Sequence, residues 1–315
     1  MKAAHIAIAA ATIAPVVLAC VTADDDVNPV LPAVDGGADG SAQDAIVADV
    51  AVTPTAVSSP PTFLRIANWS PDSPAVDLCI APHGTGGFLG PLIGALAAST
   101  DSGPSGVSFP IVSAYISVPP GQYDARIVVA GASDCAAGIG TDATSLPTLA
   151  ASGFATFALV GEAHPSGGEA ALKIAVFLDD SSSSAAVALR FVNASPELLE
   201  VDLGTGTLSA MNFTPLFQGV QFASASMPVL TDASGASIDK NGYETLSKLA
   251  NVTLSAHLTG AATDSVATTV PVSAASGSIL TIALVGGTSA ALAALLECVD
   301  NAGTVGTLEN CTLLP

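Results

Sequence analysis

The chain carries few of the residue types that do chemistry, and their spacing matches none of the common catalytic or metal-binding patterns. Three of its four His residues, His83, His164 and His257, are isolated along the chain, and His5 lies in the N-terminal segment. No G-x-S-x-G elbow and no Walker loop is present. No C-x-x-C or H-x-x-x-H spacing suggests a metal site. We therefore predict a protein that is not an enzyme and that uses no cofactor and no metal.

Cysteine is the residue type whose count indicates a compartment. If Cys20 is removed or lipid-modified, the five Cys residues leave an even set of Cys79, Cys135, Cys298 and Cys311. Four thiols permit three pairings. Proximity in the sequence and the domain division described below favour Cys79–Cys135 and Cys298–Cys311, which would contribute about 4 and about 3 kcal/mol by loop closure. Such a set is typical of proteins exported from the cytoplasm.

The N-terminus resembles an export signal followed by a linker. Residues 1–19 place Lys2 ahead of an apolar run, as in a signal peptide. Residues 17–20 read VLAC, which resembles a bacterial lipobox and makes Cys20 a candidate lipid anchor to the membrane. Cleavage after Ala23 is the alternative, and it would discard Cys20. Residues 20–61 are rich in Asp, Pro, Gly, Ala and Ser, so we predict a disordered acidic linker.

Composition bounds the remaining functions. With 7 Lys and Arg against 27 Asp and Glu, the formal net charge is −20, which repels phosphate backbones and argues against nucleic-acid binding. Half of the residues are apolar, which is enough for sizeable cores, and 315 residues suggest two domains. No apolar run after the N-terminus reaches about 18 residues, so we expect no internal transmembrane helix.

An internal repeat organises the rest of the chain. Residues 64–71 read LRIANWSP, and residues 189–196, which lie 125 positions later (189 − 64), read LRFVNASP. The same offset relates residues 76–78 to 201–203 and residues 156–161 to 281–286. We therefore predict two copies of one domain: repeat 1 over residues 62–181 and repeat 2 over residues 186–315.

Each repeat has the pattern of short strands separated by polar turns. Strands are predicted at residues 63–68, 122–129, 154–160 and 174–178 of repeat 1, and at residues 251–258 and 279–285 of repeat 2. Residues 89–99 fit either one short helix or an apolar loop. The pattern favours an all-β fold of two tandem β-sandwiches.

These residues also carry a resemblance to a known family. Arg65, Asn68, Ser70, Pro71 and Asp77, followed by a Tyr-x-x-Val-Pro-x-Gly-x-Tyr hairpin over residues 115–123, resemble the bacterial domain of unknown function 4397. Repeat 2 keeps Arg190, Asn193, Ser195, Pro196 and Asp202 but lacks the Pro-Gly hairpin. The resemblance implies exported, immunoglobulin-like sandwiches and brings no assigned activity.

The repeated polar residues are predicted to stabilise the fold. Asn and Ser side chains can fix a turn by bonding the backbone, and Pro ends a strand. Asp77 and Asp202 are expected either to cap a loop or to pair with Arg65 and Arg190. Trp69 is the single Trp, and it is either a packing residue or a candidate contact for a ligand such as a sugar.

Together these features predict a lipid-anchored protein of the bacterial cell envelope, periplasmic or at the outer surface, that acts as a non-catalytic binding or scaffold module. Its partner would be an envelope protein or a glycan. Two alternatives stay open: a secreted hydrolase of envelope polysaccharide, which would need two converging carboxylates, and a purely structural spacer.

Overall fold

A computed structural model of the chain describes residues 59–97, 106–144, 146–165, 168–181, 186–226, 238–262, 265–269, 271–288, 291–300 and 311–314. The predicted signal peptide, Cys20 and all but the last three residues of the predicted linker lie outside these residues. Residues 56–315 form one compact unit. Within the described ranges, no helix has the length and apolar character needed to cross a membrane.

The described residues of repeat 1 form six strands and one short helix. In chain order these are β1 (Thr62–Asn68), β2 (Val76–Pro82), α1 (Leu92–Ala97), β3 (Ile116–Val118), β4 (Tyr123–Val129), β5 (Phe154–Val160) and β6 (Lys173–Asp179). One sheet has the order β3-β1-β5-β6, and the second consists of β2 and β4. The open choice at residues 89–99 is therefore settled in favour of a short helix.

The described residues of repeat 2 form strands and no helix. These are β7 (Val187–Asn193), β8 (Glu200–Thr205), β9 (Thr214–Gln221), β10 (Ser224–Ala225), β11 (Tyr243–Leu246), β12 (Leu249–Val252), β13 (Leu254–Leu258), β14 (Ser265–Thr268), β15 (Val272–Ala274), β16 (Ile279–Val285), β17 (Ala294–Val299) and β18 (Cys311–Leu313). One sheet runs β10-β7-β16-β17-β18, with β11 also on β7, and another runs β14-β13-β8-β9.

The two repeats share their strand pairing in detail. β1 is parallel to β5, with Arg65 opposite Thr156, and β7 is parallel to β16, with Arg190 opposite Thr281. β2 pairs β4 as β8 pairs β13, both antiparallel. The all-β sandwich class is thus confirmed. The parallel central pair differs from the purely antiparallel sheets of an immunoglobulin domain, so the immunoglobulin-like topology stays a prediction.

Each repeat encloses its own apolar core among its sheets, which in repeat 2 include a third, formed by β12 and β15. In repeat 1, Leu64 and Ile66 of β1 face Leu78 and Ile80 of β2 within one buried cluster. In repeat 2, the corresponding cluster contains Leu189, Phe191, Val201 and Leu203. Alternation along β1 and β7 directs these side chains to one face of the strand, because successive side chains point to opposite faces.

The opposite face of the same strands is buried as well, between the repeats. Ala67 and Ala158 of repeat 1 and Val192 and Ala283 of repeat 2 belong to a single apolar cluster, and all four are fully buried. The second repeat therefore covers the face of the central strands that would otherwise meet water.

Two covalent and conformational details match the sequence pattern. The disulfides Cys79–Cys135 and Cys298–Cys311 are both formed, which confirms the predicted pairing. Gly161 and Gly286, at the ends of β5 and β16, have φ values of +94° and +72°. A Cβ at these positions would lie 2.3 and 2.2 Å from the carbonyl oxygens of Ala171 and Leu292, so only glycine fits.

Candidate functional site

Among the described residues, a set of four interacting charges lies between the repeats. Arg65 of β1 and Arg190 of β7 meet Asp179, the last residue of β6, and Asp300, which follows β17. We refer to these four residues, with the hydroxyl groups that bond them, as the inter-repeat cluster; its other members are Thr156, Thr281, Tyr115 and Tyr243.

Each arginine bonds a threonine of its own repeat and an aspartate of the other. Arg190 Nη2 donates to Asp179 Oδ1 at 2.6 Å, and its Nε donates to Thr281 Oγ1 at 3.0 Å. Arg65 Nη2 donates to Asp300 Oδ1, and its Nε donates to Thr156 Oγ1 at 2.8 Å. The contacts are reciprocal, so the polar centre has an approximate two-fold symmetry.

Hydroxyl groups complete the coordination of both carboxylates. Asp179 Oδ2 accepts from Thr156 Oγ1 at 2.7 Å and from Tyr115 Oη at 2.9 Å. Asp300 Oδ2 accepts from Thr281 Oγ1 at 2.5 Å and from Tyr243 Oη at 2.6 Å. Tyr115 immediately precedes β3, and Tyr243 is the first residue of β11. Both tyrosines reach these positions because β3 pairs with β1 in the same register in which β11 pairs with β7.

The cluster is sealed from water. The side chains of both aspartates are fully buried, and those of Arg65 and Arg190 are 3% and 1% exposed. Burial alone would raise the pKa of Asp179, but Arg65, Arg190 and the hydrogen bond from Thr156 together lower it. Burial would lower the pKa of Arg65, but attraction to Asp300 and Asp179 raises it instead. These shifts favour the charged forms of Asp179 and Arg65, and each arginine lies within 4 Å of both aspartates.

The chemistry open to this cluster is structural. A buried charge is tolerated only when it is paired and hydrogen-bonded, and here each charge has a partner from the opposite repeat. Burial raises the pKa of Tyr115, so this phenol stays a hydrogen-bond donor. Because the carboxylates are fully buried, a substrate has no access to them.

The aspartates of the repeated motif serve as loop caps. Asp77 Oδ1 accepts from the backbone N–H of Ile93 at 2.9 Å and Oδ2 from that of Gly94 at 2.7 Å, which satisfies free donors in the first turn of α1. Asp202 Oδ1 accepts from Gly219 N at 2.7 Å and Thr259 Oγ1 at 2.8 Å. These contacts are those of a loop cap, whereas Arg65 and Arg190 contact Asp179 and Asp300.

The repeated Asn and Ser residues fix the turn after the first strand of each repeat. Asn68 Oδ1 accepts from Ser70 N, and Asn193 Oδ1 accepts from Ser195 N, both at 3.2 Å. The Asn68 amide also donates to Val107 O, as the Asn193 amide does to Val220 O. Pro71 and Pro196 follow these turns, beyond the ends of β1 and β7.

Trp69 does not face a ligand. Its side chain belongs to the apolar cluster between the repeats and is 1% exposed, with its ring 6.1 Å from that of Phe177. The ligand contact considered for Trp69 is therefore wrong, because the second repeat covers the residue. The indole Nε1 is buried, with no hydrogen-bond partner among the described residues.

A contact between Ser255 and His257 is also unsuited to catalysis. Ser255 Oγ lies 2.8 Å from His257 Nε2 and donates its hydrogen to Gly206 O at 2.6 Å. Nε2 must then donate to Ser255, so His257 cannot act as a base toward that hydroxyl. His257 is a buried residue of β13.

The other candidates add no reactive centre. His83 Nδ1 lies 2.7 Å from Asp124 Oδ1, whose second oxygen accepts from Gly84 N and so anchors the loop after β2. In the part of the chain that the structure describes, no group of three or more His, Cys, Asp or Glu side chains is arranged to hold a metal ion.

Sequence reasoning missed Asp179 and Asp300, because they lie outside the matched segments. Their placement offered a signal. Asp179 ends β6 and Asp300 follows β17, and these two strands pair with β5 and β16, which contribute the repeated Thr156 and Thr281.

Comparisons with known proteins give limited information on function. No curated protein matches the chain. A crystal structure of CBMbc, a family 26 carbohydrate-binding module of Amy13K from Eubacterium rectale in complex with maltoheptaose, has 12% sequence identity and a TM-score of 0.15. That match covers 72% of this chain and 94% of the other, and its TM-score is too low to support a functional inference. Residues 62–204 match the model of the family described as Domain of unknown function (DUF4397).

Proposed function

We propose that the protein is a non-catalytic scaffold or binding module of the bacterial cell envelope, in which two copies of one β-sandwich domain are locked into one rigid body. The observation that carries this proposal is the inter-repeat cluster. Arg65 and Asp300 on one side, and Arg190 and Asp179 on the other, join the repeats through paired charges that water does not reach.

Rigidity follows from the cost of separating such an interface. Opening the repeats would expose the shared apolar cluster that contains Trp69 and Phe177. It would also break two buried ion pairs, and loss of a partner from one such pair typically costs about 3–5 kcal/mol. Interfaces between domains that move freely are smaller and more polar. A rigid pair of sandwiches would hold any partner-binding surface at a fixed spacing and orientation.

The envelope location rests on three features. Two disulfides are typical of oxidising compartments outside the cytoplasm. The signal-like residues 1–19 and the lipobox-like segment ending at Cys20 fit export and lipid anchoring. The acidic, Pro- and Gly-containing residues that follow would separate the sandwiches from the membrane surface.

A distance measurement on the whole protein tests the scaffold role. Dyes attached at Leu89→Cys and Met211→Cys, whose native side chains are 65% and 94% exposed and lie in different repeats, report the inter-repeat distance. We expect one narrow distance distribution in single-molecule energy transfer. A broad or double distribution would show that the repeats move independently, which contradicts a rigid scaffold.

Two further measurements separate the alternatives. Mass spectrometry of the mature protein should find an acylated Cys20; a mature N-terminus at Asp24 would instead show that Cys20 is discarded. Turnover of envelope polysaccharide that is lost on replacing an exposed carboxylate would favour a hydrolase. Specific retention of one envelope glycan or protein would distinguish a binding module from a spacer.

A further inference from the structure

The polar centre of the inter-repeat interface is the same in both repeats, whereas the apolar ring around it is unequal. Arg, Thr, Tyr and Asp occupy matching places on the two sides. By these contacts alone, repeat 1 would fit a second copy of repeat 1 as well as it fits repeat 2. Something else must make repeat 1 pair with repeat 2.

Side-chain size differs at two matching positions. Trp69 follows β1 and donates its backbone N–H to Leu159 O at 2.9 Å, as Ala194 follows β7 and donates to Leu284 O at 2.9 Å. Phe177 lies opposite Thr156 in the β5–β6 ladder. Cys298 lies opposite Thr281 in the β16–β17 ladder. Repeat 1 therefore supplies an indole and a phenyl ring where repeat 2 supplies a methyl group and a disulfide-bonded cysteine.

All four side chains lie in the apolar cluster between the repeats. Trp69, Ala194 and Cys298 are at most 1% exposed, and Phe177 is 6% exposed. Phe177 reaches across the interface, where the Arg190 guanidinium lies 5.7 Å from its ring centre. The interior has little free volume, so the two rings of repeat 1 occupy space in a cluster to which repeat 2 contributes the smaller Ala194 and the Cys298–Cys311 disulfide.

We propose that Trp69, together with Phe177, is the specificity determinant of the repeat pairing: the large side chains of repeat 1 fit the small side chains of repeat 2 and exclude like-with-like pairing between two copies of the chain. Two repeat 1 faces would place two Trp and two Phe side chains in one interface. Two repeat 2 faces would leave that volume empty. Both arrangements are destabilised, by overpacking or by a cavity.

The buried indole nitrogen supports a steric role for Trp69. Its Nε1 has no hydrogen-bond partner among the described residues, and a buried donor without a partner is unfavourable. The packing of the Trp69 ring must therefore compensate for the burial of an N–H group that forms no hydrogen bond. This inference rests on the two repeats forming one body, as proposed above.

Exchange of the two side chains tests the inference in the full chain. Because Trp69 and Ala194 lie in one apolar cluster, Ala194→Trp should overpack that cluster and lower the thermal midpoint by roughly 5 °C. The exchanged variant Trp69→Ala/Ala194→Trp should recover at least half of that loss and be monomeric. Its thermal midpoint should lie above the value obtained by adding the separate shifts of Trp69→Ala and Ala194→Trp.

Fluorescence provides a readout of the same exchange, because the native chain has one Trp. In the exchanged variant the single Trp lies at position 194, and its emission should be as blue-shifted as that of the native protein. Met211→Trp in a Trp69→Phe background is the matched control for an exposed indole, since Met211 is 94% exposed. Far-UV circular dichroism verifies that each variant is folded.

The inference is overturned if Ala194→Trp is as stable as the native chain, or if the exchanged variant recovers nothing. Retention of a narrow distance between labels at Leu89→Cys and Met211→Cys in the native chain would show that the scaffold proposal survives such a result.

Discussion

Removal of the Asp179 carboxylate is the sharpest perturbation of the inter-repeat cluster. Asp179→Ala takes away the acceptor for Arg190 at 2.6 Å, for Thr156 at 2.7 Å and for Tyr115 at 2.9 Å. Two arginines would then share one carboxylate in a region without water. The variant therefore combines an unpaired buried charge with buried hydroxyl donors that have lost their acceptor.

The expected loss is a large part of the total stability. Removing one partner of a buried pair costs about 3–5 kcal/mol, and a buried donor without an acceptor adds about 1–3 kcal/mol. Because these effects overlap in one network, we expect a loss of roughly 4–6 kcal/mol rather than their sum. Domains typically have about 5–15 kcal/mol of stability.

Chemical denaturation measures this loss. With disulfides intact, we expect the guanidinium midpoint of Asp179→Ala to fall by roughly 1 M. The matched control is Asp142→Ala, which breaks the bidentate pair with Arg126 at 2.8 and 2.6 Å. The Asp142 side chain is 34% exposed, so solvent screening should keep this loss below about 1 kcal/mol. Equal losses in the two variants would refute the structural role of the cluster.

The pH dependence of the same difference gives an independent check. The pKa of Asp179 is lowered in the folded protein, because the two arginines and the Thr156 hydrogen bond outweigh burial. A carboxyl with a lowered folded pKa contributes stability above its unfolded pKa, about 3.9, and loses it as the pH falls through the folded pKa. The gap between the native protein and Asp179→Ala should therefore be complete near pH 7 and shrink below about pH 4. A gap that grows toward acid pH would contradict the assignment.

Three further predictions concern packing and covalent links. Trp69→Phe should change the free energy of unfolding little, since it removes an unbonded N–H, whereas Trp69→Ala should cost about 3–5 kcal/mol in the same denaturation assay. Gly161→Ala should be strongly destabilising because its Cβ would lie 2.3 Å from a carbonyl oxygen, while Gly131→Ala, with a positive φ but no atom within 4 Å, should lose less thermal stability. Joint replacement of Cys298 and Cys311 by Ala should lower stability by roughly 3 kcal/mol, and a reducing agent should then have no further effect at this site.

Much of each sandwich was predictable from the sequence because its signals are local. Residues 122–129 were expected as a strand and form β4 (Tyr123–Val129), and residues 279–285 form β16 (Ile279–Val285). Alternation of side chains and turn residues such as Pro and Gly determine these elements within a few positions. The disulfide pairing was predictable too, because each bridge lies within one repeat.

Burial of the second sheet face was not predictable in the same way. In the alternation of apolar and polar residues along β1, Arg65 takes the place of a side chain that faces water. Its partner Asp300 lies 235 positions away, and nothing local distinguishes this aspartate from the other acidic residues. For Trp69 the sequence left open a packing role and a ligand contact, and the structure shows the packing role; the choice depends on the second repeat and not on neighbouring residues.

The comparison of the two repeats nevertheless contains information about the interface. Identity between the repeats falls on Arg65 and Arg190, and on Asn68 and Asn193, all of which are buried with hydrogen-bond partners. Apolar neighbours such as Ile66, which matches Phe191, differ in size. A core tolerates exchange of apolar volume when neighbours adjust, whereas replacing one member of a buried polar pair leaves its partner unbonded. Internal identity at polar positions of an otherwise apolar strand therefore indicates groups that are buried and paired, and an arginine repeated in such a strand points to a partner on another sheet.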